Sequence, residues 1–283
     1  MSPILVATDL SARSDRAVLR AAHLAERTGM PLHIVHVVDD DLPAAMLHQQ
    51  SEAAETTLRE MVAATPALKS IPVEIDVEVG HLAQLIPVLA RERQAGLIVL
   101  GTHRGRGMAD LIAAPTLEQL LRGLDMPVLV AVGRPEVAYD RVTLGWDFSD
   151  AEVAPLDFLA KIAPGAELTL LHAWQAPYMG APYAFDTGAI TGVEAELRDE
   201  TAARLAEAAD AVRWDGAVRH ELGQGTAANV LTRSAADGQA DLICIGRHGR
   251  SGLARFFLGE TALAVALRAD CDVLIAPPSG ASG

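Results

Sequence analysis

Cysteine and lysine are both scarce in this chain, and each scarcity excludes something. The two cysteines, Cys244 and Cys271, sit beside predicted strands and belong to no paired motif. They read as buried free thiols in a reducing compartment, and nothing points to a disulfide framework, a redox centre or a cysteine metal site. Lys69 and Lys161 are the only lysines, so any anion site must be built from arginine. Acidic residues outnumber basic ones, 37 to 23, for a net charge of −14. That balance opposes nucleic acid and anionic membrane as partners. No apolar run approaches the length of a membrane span, and the amino terminus enters a strand pattern without a basic and then apolar leader. The expectation is a cytoplasmic protein. The remaining composition is that of a globular chain, 50% hydrophobic and 21% charged, and 283 residues suffice for two ordinary domains.

Taken in order, the chain alternates strand and helix patterns, and then does so again. Ile4–Ala7 is a short apolar strand ending at Thr8-Asp9, and a helix follows from Ser11 to Gly29. Strands are predicted at Leu32–Val38, Val73–Val79, Leu97–Leu100 and Pro127–Val132. Helices are predicted at Pro43–Ala64, at Leu82–Gln94 with Pro87 interrupting it, and at Thr116–Leu124. After a linker at Gly133–Glu136 the series restarts. Arg141–Gly145 leads into Trp146-Asp147, and a helix runs from Ser149 to Ala163. Leu168–Ala173, Ala217–Leu222 with Gly223, Leu242–Ile245 and Val273–Ile275 then repeat strands two to five. Equivalent positions drift apart by several residues, which places an insertion at Gln175–Thr191, read as a loop before a helix at Val193–Val212. Alternating strands and helices argue for an α/β fold, a mostly parallel, doubly wound sheet in each half. In such sheets ligands sit beyond the carboxyl ends of the strands where the order reverses. Here the first and fourth strands of each half end in polar or glycine residues: Asp9 and Gly101, Asp147 and Gly246.

The second half carries the more informative of these ends. Gly246-Arg247-His248-Gly249-Arg250-Ser251-Gly252 follows an apolar strand, and Gly259-Glu260-Thr261 reads as a helix start. Glycines let backbone approach a ligand closely, and free N–H groups at a loop and helix start attract anions. A glycine-rich turn with solvated arginines is the plainer alternative, and the residues alone leave both open.

These residues resemble the universal stress protein family in its tandem form. The family's phosphate loop, Gly-x2-Gly-x9-Gly-Ser/Thr, is matched by Gly246, Gly249 and Gly259. Its strand-ending Asp is matched by Asp147 and Asp9, and its His-Val-Val by His36-Val37-Val38 and in part by His172-Ala173. The resemblance implies two adenine nucleotide α-hydrolase-like domains, residues 1–134 and 139–280, each with strand order 3-2-1-4-5. It further implies an ATP, ADP or AMP site in the second. That site would comprise Gly145, Trp146, Asp147 and Ala173 near the base. Gly246, Arg247, His248, Gly249, Arg250, Gly252, Gly259, Glu260 and Thr261 would surround the phosphates, with Mg2+ left open. The first half departs from the motif at Arg104, Ala114 and Pro115, so its site is expected to be weakened or lost. In the second half Glu260 replaces the hydroxyl residue, either repelling a terminal phosphate unless a metal bridges them or serving only the helix dipole. Trp146 would stack on a base or plug the pocket. No catalytic residue is assigned. The expectation is a regulatory binder with hydrolysis slow or absent, and a nucleotide-free scaffold acting through protein contacts is the alternative. The last strands of the two halves are expected to pair within the chain as an internal pseudo-dimer, with a further homodimer left open.

Overall fold

Apolar runs without polar alternation become strands covered on both faces. The first repeat runs β1 (Ile4–Thr8), α1 (Ser14–Thr28), β2 (Leu32–Val38), α2 (Ala44–Ala64), α3 (Pro66–Lys69), β3 (Val73–Val79), α4 (Leu82–Glu92), β4 (Leu97–Gly101), α5 (Asp110–Gly123) and β5 (Val128–Ala131). The second runs β6 (Arg141–Gly145), α6 (Ala154–Ile162), β7 (Glu167–Trp174), α7 (Thr187–Ala211), β8 (Val218–Gln224), α8 (Ala227–Ala236), β9 (Leu242–Gly246), α9 (Glu260–Arg268) and β10 (Asp272–Ala276). The structure, a computed structural model, describes residues 2–12, 14–101, 110–149, 154–175, 187–247 and 259–277, and for 110–114, 154 and 187–193 the backbone alone. The predicted site residues His248, Gly249, Arg250 and Gly252, the first-half departure Arg104, and most of Gln175–Thr191 lie outside the described residues.

The ten strands form one sheet in the order β3-β2-β1-β4-β5-β10-β9-β6-β7-β8. Each half has the expected 3-2-1-4-5 order, and the halves join where β5 and β10 pair antiparallel, Leu129 opposite Leu274. All other pairings are parallel. Strand alternation divides the core into two layers. Ile4, Val6, Leu242 and Cys244 face one layer with α1, α2, α6 and α7. Leu5, Ala7, Ile243 and Ile245 face the other with α4, α5, α8 and α9. Each layer continues across both repeats. Among the described residues, no helix is long and apolar enough to cross a membrane.

Several elements differ from the pattern reading, among them the short α3, which it did not contain, and α1, which starts at Ser14 instead of Ser11. The α7 helix starts at Thr187, earlier than Val193, and so takes in the end of the segment read as loop. The β8 strand runs through Gly223 to Gln224, so Gly225 (φ 131°), not Gly223, takes the place of Gly80 (φ 145°). The equivalence is exact in bonding: the Gly80 amide donates to Val38 and the Gly225 amide to Trp174, each the last residue of the neighbouring strand. The α8 helix was not anticipated; Thr226 caps it by accepting from the Asn229 amide, and Val230 and Leu231 bury its inner face. Pro115 lies inside α5, exposed, where the sequence suggested it abuts the helix start.

A polar cluster ties the repeats together at the seam. Asp272 on β10 is fully buried. Its Oδ1 accepts from the amides of Val132 (2.7 Å) and Gly133 (2.6 Å). Its Oδ2 faces Arg20 Nε at 2.7 Å and accepts from the Tyr139 hydroxyl at 2.6 Å. Arg20, from α1, also donates to the carbonyls of Val137 (2.7 Å) and Arg134 (2.6 Å) and lies 4.5 Å over the Tyr139 ring. Burial, reinforced by the Asp272 carboxylate, pushes the Tyr139 hydroxyl pKa well above its ordinary value.

Candidate functional site

In the second repeat the strand order reverses between β6 and β9, which lie side by side. Their carboxyl ends open into a cavity of about 520 Å³, inside the range of roughly 300–1,000 Å³ usual for small-molecule sites. Gly145, Trp146, Asp147, Ala173, Gly246, Arg247, Gly259 and Thr261 all line it, so the structure brings together the described members of the predicted site with one exception. Glu260 is exposed and outside the cavity lining. As the first residue of α9 it points away while Thr261 and Ala262 face inward, and it serves the helix dipole there.

The β6 side is shaped by a turn found in both repeats. Asp147 Oδ1 accepts the Ser149 amide at 2.9 Å, as Asp9 Oδ1 accepts the Ser11 amide at 3.0 Å. The residue between is left-handed in each case, Phe148 at φ 62° and Leu10 at φ 59°. A side chain in that region costs about 1–2 kcal/mol, a strain characteristic of functional sites. The Phe148 ring lies between His172, at 4.8 Å between centroids, and the Arg204 guanidinium, 4.5 Å over its face. His172 Nδ1 bonds the Trp146 carbonyl, as His36 Nδ1 bonds that of Thr8. A carbonyl only accepts, so Nδ1 carries the proton in both.

The β9 side is pinned at two points. The Arg247 amide donates to the Ala276 carbonyl (3.0 Å), and the Gly259 amide donates to the Arg247 carbonyl (2.9 Å). The chain therefore leaves β9 and enters α9 at the same place. A Cβ on Gly259 would stand 3.2 Å from that carbonyl, a tight approach that favours glycine here. Gly259 at the N-cap offers no side chain, so among the described residues no side-chain cap bond closes the start of α9, and its first amides can serve an acceptor in the cavity.

Among the described residues, six buried side-chain polar atoms lack a hydrogen bond. Arg20 Nε and His33 Nε2 nevertheless face carboxylates, Asp272 at 2.7 Å and Asp76 at 2.8 Å. The other four, Trp146 Nε1, Ser149 Oγ, and Nε and Nη2 of Arg247, all belong to residues that line this cavity. Buried donors are normally paired, so their concentration at one place marks a site built for a ligand rich in acceptors. In the first repeat Thr8, the counterpart of Trp146, has its polar atom satisfied within the protein, its hydroxyl bonding Ser14 Oγ at 2.8 Å.

Sequence reasoning missed Phe148, Ser149, Thr201, Arg204, Val230 and Leu231, which also line the cavity. The repeated Asp-x-Ser triplet was a readable signal for the first two; the α7 and α8 residues had none. Glu118, a carboxylate of α5, pairs with Arg122 along that helix. Asp39, Asp40 and His81 bring ligand atoms within 4.8 Å of one another at the β3 edge of the sheet, but all three are exposed.

Comparison with known proteins agrees with this architecture. The chain is 29% identical over 297 residues to a universal stress protein of Mycolicibacterium smegmatis, covering 97% of each. It is 27% identical over 292 residues to universal stress protein Rv2005c of Mycobacterium tuberculosis, covering 98% of this chain and 97% of that one. The crystal structure of a universal stress protein from Archaeoglobus fulgidus shares the fold, with a TM-score of 0.66 at 19% identity over 97% of this chain and 98% of that chain. The sequence profile of the universal stress protein family matches residues 1–131 and again 138–277, and on these two matches the chain belongs to that family, in its tandem form.

Proposed function

We propose that the second repeat binds an adenine nucleotide in the cavity between β6 and β9, as the regulatory signal of a stress-response protein, and that the first repeat is structural. One observation carries this reading: the Asp147 turn and the Gly246–Arg247 bend, with the uncapped start of α9, face each other across one crevice of about 520 Å³. Asp147, Trp146 and Ala173 sit on the side suited to a base, and Gly246, Gly259 and Thr261 on the side suited to phosphate. By their place in the motif, His248, Gly249, Arg250 and Gly252 belong to the phosphate side. Hydrolysis is slow or absent in this reading.

Calorimetric titration with ATP, ADP and AMP, with and without Mg2+, tests the reading. Saturable binding of at least one is expected, and native mass spectrometry should find a purine nucleotide on protein purified without added ligand. No heat with any of the three under either condition refutes it and leaves the nucleotide-free scaffold.

A further inference from the structure

We infer that Arg247 is the built-in counter-ion of this cavity, holding an anionic group of the ligand in place of a divalent cation. The identity of the ligand as a nucleotide rests on the reading above; the existence of an anion site does not.

The chain supplies its own control. Arg20 and Arg247 are buried alike, at 5% and 6% exposure. Arg20 is answered by a carboxylate, two carbonyls and an aromatic face. That is how this protein treats a guanidinium whose role is structural. Among the described residues Arg247 has no such set, and its Nε and Nη2 are buried without a hydrogen bond. A guanidinium cannot shed its charge, and an unpaired buried charge is among the costliest arrangements a fold can contain. The nearest compensating field comes from Asp125 of the first repeat, yet burial dominates and lowers the Arg247 pKa.

Its backbone is also fixed in advance, amide to Ala276 and carbonyl to Gly259. The fork is thus held on a rigid floor beside the α9 start, within a cavity that it lines. Opposing metal ligands are few. Asp147 is the one carboxylate among the described lining residues, its Oδ1 accepts the Ser149 amide, and Glu260 lies outside. A divalent cation wants several oxygen ligands, whereas an arginine fork matches a phosphate directly.

The test compares wild type with Arg247→Met, of similar length and uncharged, by ATP titration in EDTA and in Mg2+ and by thermal melting without ligand. Wild type should bind equally in both media. The variant should lose about 10–100-fold in EDTA, the span of one or two charge-assisted hydrogen bonds, yet melt at or above the wild-type temperature when empty. A purely structural arginine would give the opposite melting result, so a variant that melts lower or fails to fold overturns the inference. So does wild-type binding that requires Mg2+, or a variant that binds as well as wild type; both leave the nucleotide reading standing. If wild type binds no nucleotide, that reading falls. Inorganic pyrophosphate then decides the anion site, which stands if pyrophosphate raises the wild-type midpoint but not the variant's, and falls otherwise.

Discussion

Removing the Asp272 carboxylate should cost more stability than most single changes in this protein. Asp272→Ala strands four donors at once: the Val132 and Gly133 amides, the Tyr139 hydroxyl and the Arg20 guanidinium. Arg20 and Tyr139 are only 5% and 3% exposed, so water cannot replace the lost acceptor without opening the seam. Taking one partner from a buried ion pair costs about 3–5 kcal/mol, a large share of the roughly 5–15 kcal/mol that holds a typical protein folded. Urea denaturation followed by circular dichroism measures it. The midpoint should fall sharply at unchanged slope. Replacing both charges, Arg20→Met with Asp272→Leu, should recover much of the loss, because hydrophobic pairs often substitute for buried ion pairs at little cost. A single variant losing under about 1 kcal/mol, the worth of a surface pair, would refute the claim that this cluster fastens the repeats. A double variant no better than the single would refute the account of why.

Three further outcomes follow from particular residues. Because Tyr139 has a raised pKa when folded, its contribution is intact below the ordinary value of 10.0 and is lost as pH climbs beyond it; it should lower stability above that pH by up to about 1.4 kcal/mol per unit, and Tyr139→Phe should make the fall in pH-resolved melts less steep, leaving the share of the buried Cys244 thiol, whose pKa burial also raises. Gln94 is exposed and left-handed at φ 51° just past the end of α4, so Gln94→Gly should raise stability by about 1 kcal/mol, read as a higher urea midpoint. Gly223→Ala would set a methyl group into Val230 Cγ1 and should lower stability by about 1–3 kcal/mol; an unchanged melting temperature would show that Val230 of α8 does not sit against Gly223.

The sheet was legible because buried parallel strands are written as unbroken apolar runs, and because the chain writes them twice. Leu97–Leu100 was legible for that reason; Val73–Val79 was placed to the residue by its strict alternation of apolar and acidic residues, the mark of an edge strand. The α8 helix was harder: its buried face uses Ser234 and Ala235 beside Val230 and Leu231, a weak periodic signal. Two glycines, Gly188 and Gly192, disguised the start of α7 as loop. In the site, Asp147, Gly246 and Gly259 were readable because backbone geometry restricts which residues can stand there. The isolation of the Arg247 guanidinium was not, since it depends on what the rest of the fold withholds. Nor was the Arg20–Asp272 pair, which joins the first helix to the last strand and leaves no trace in local spacing.

The antiparallel junction of β5 and β10 has a consequence for taking the molecule apart. Every residue of both strands is buried, whereas the outer strands β3 and β8 alternate charged residues such as Glu74, Asp76 and Glu221 along rims that discourage recruitment of further strands. Severing the polypeptide between its repeats would turn two interior strands into sticky borders with Asp272, at the start of β10, as their one charged residue. Residues 138–277 expressed alone should therefore sediment as a dimer, one copy borrowing from another the border that its own first repeat once covered.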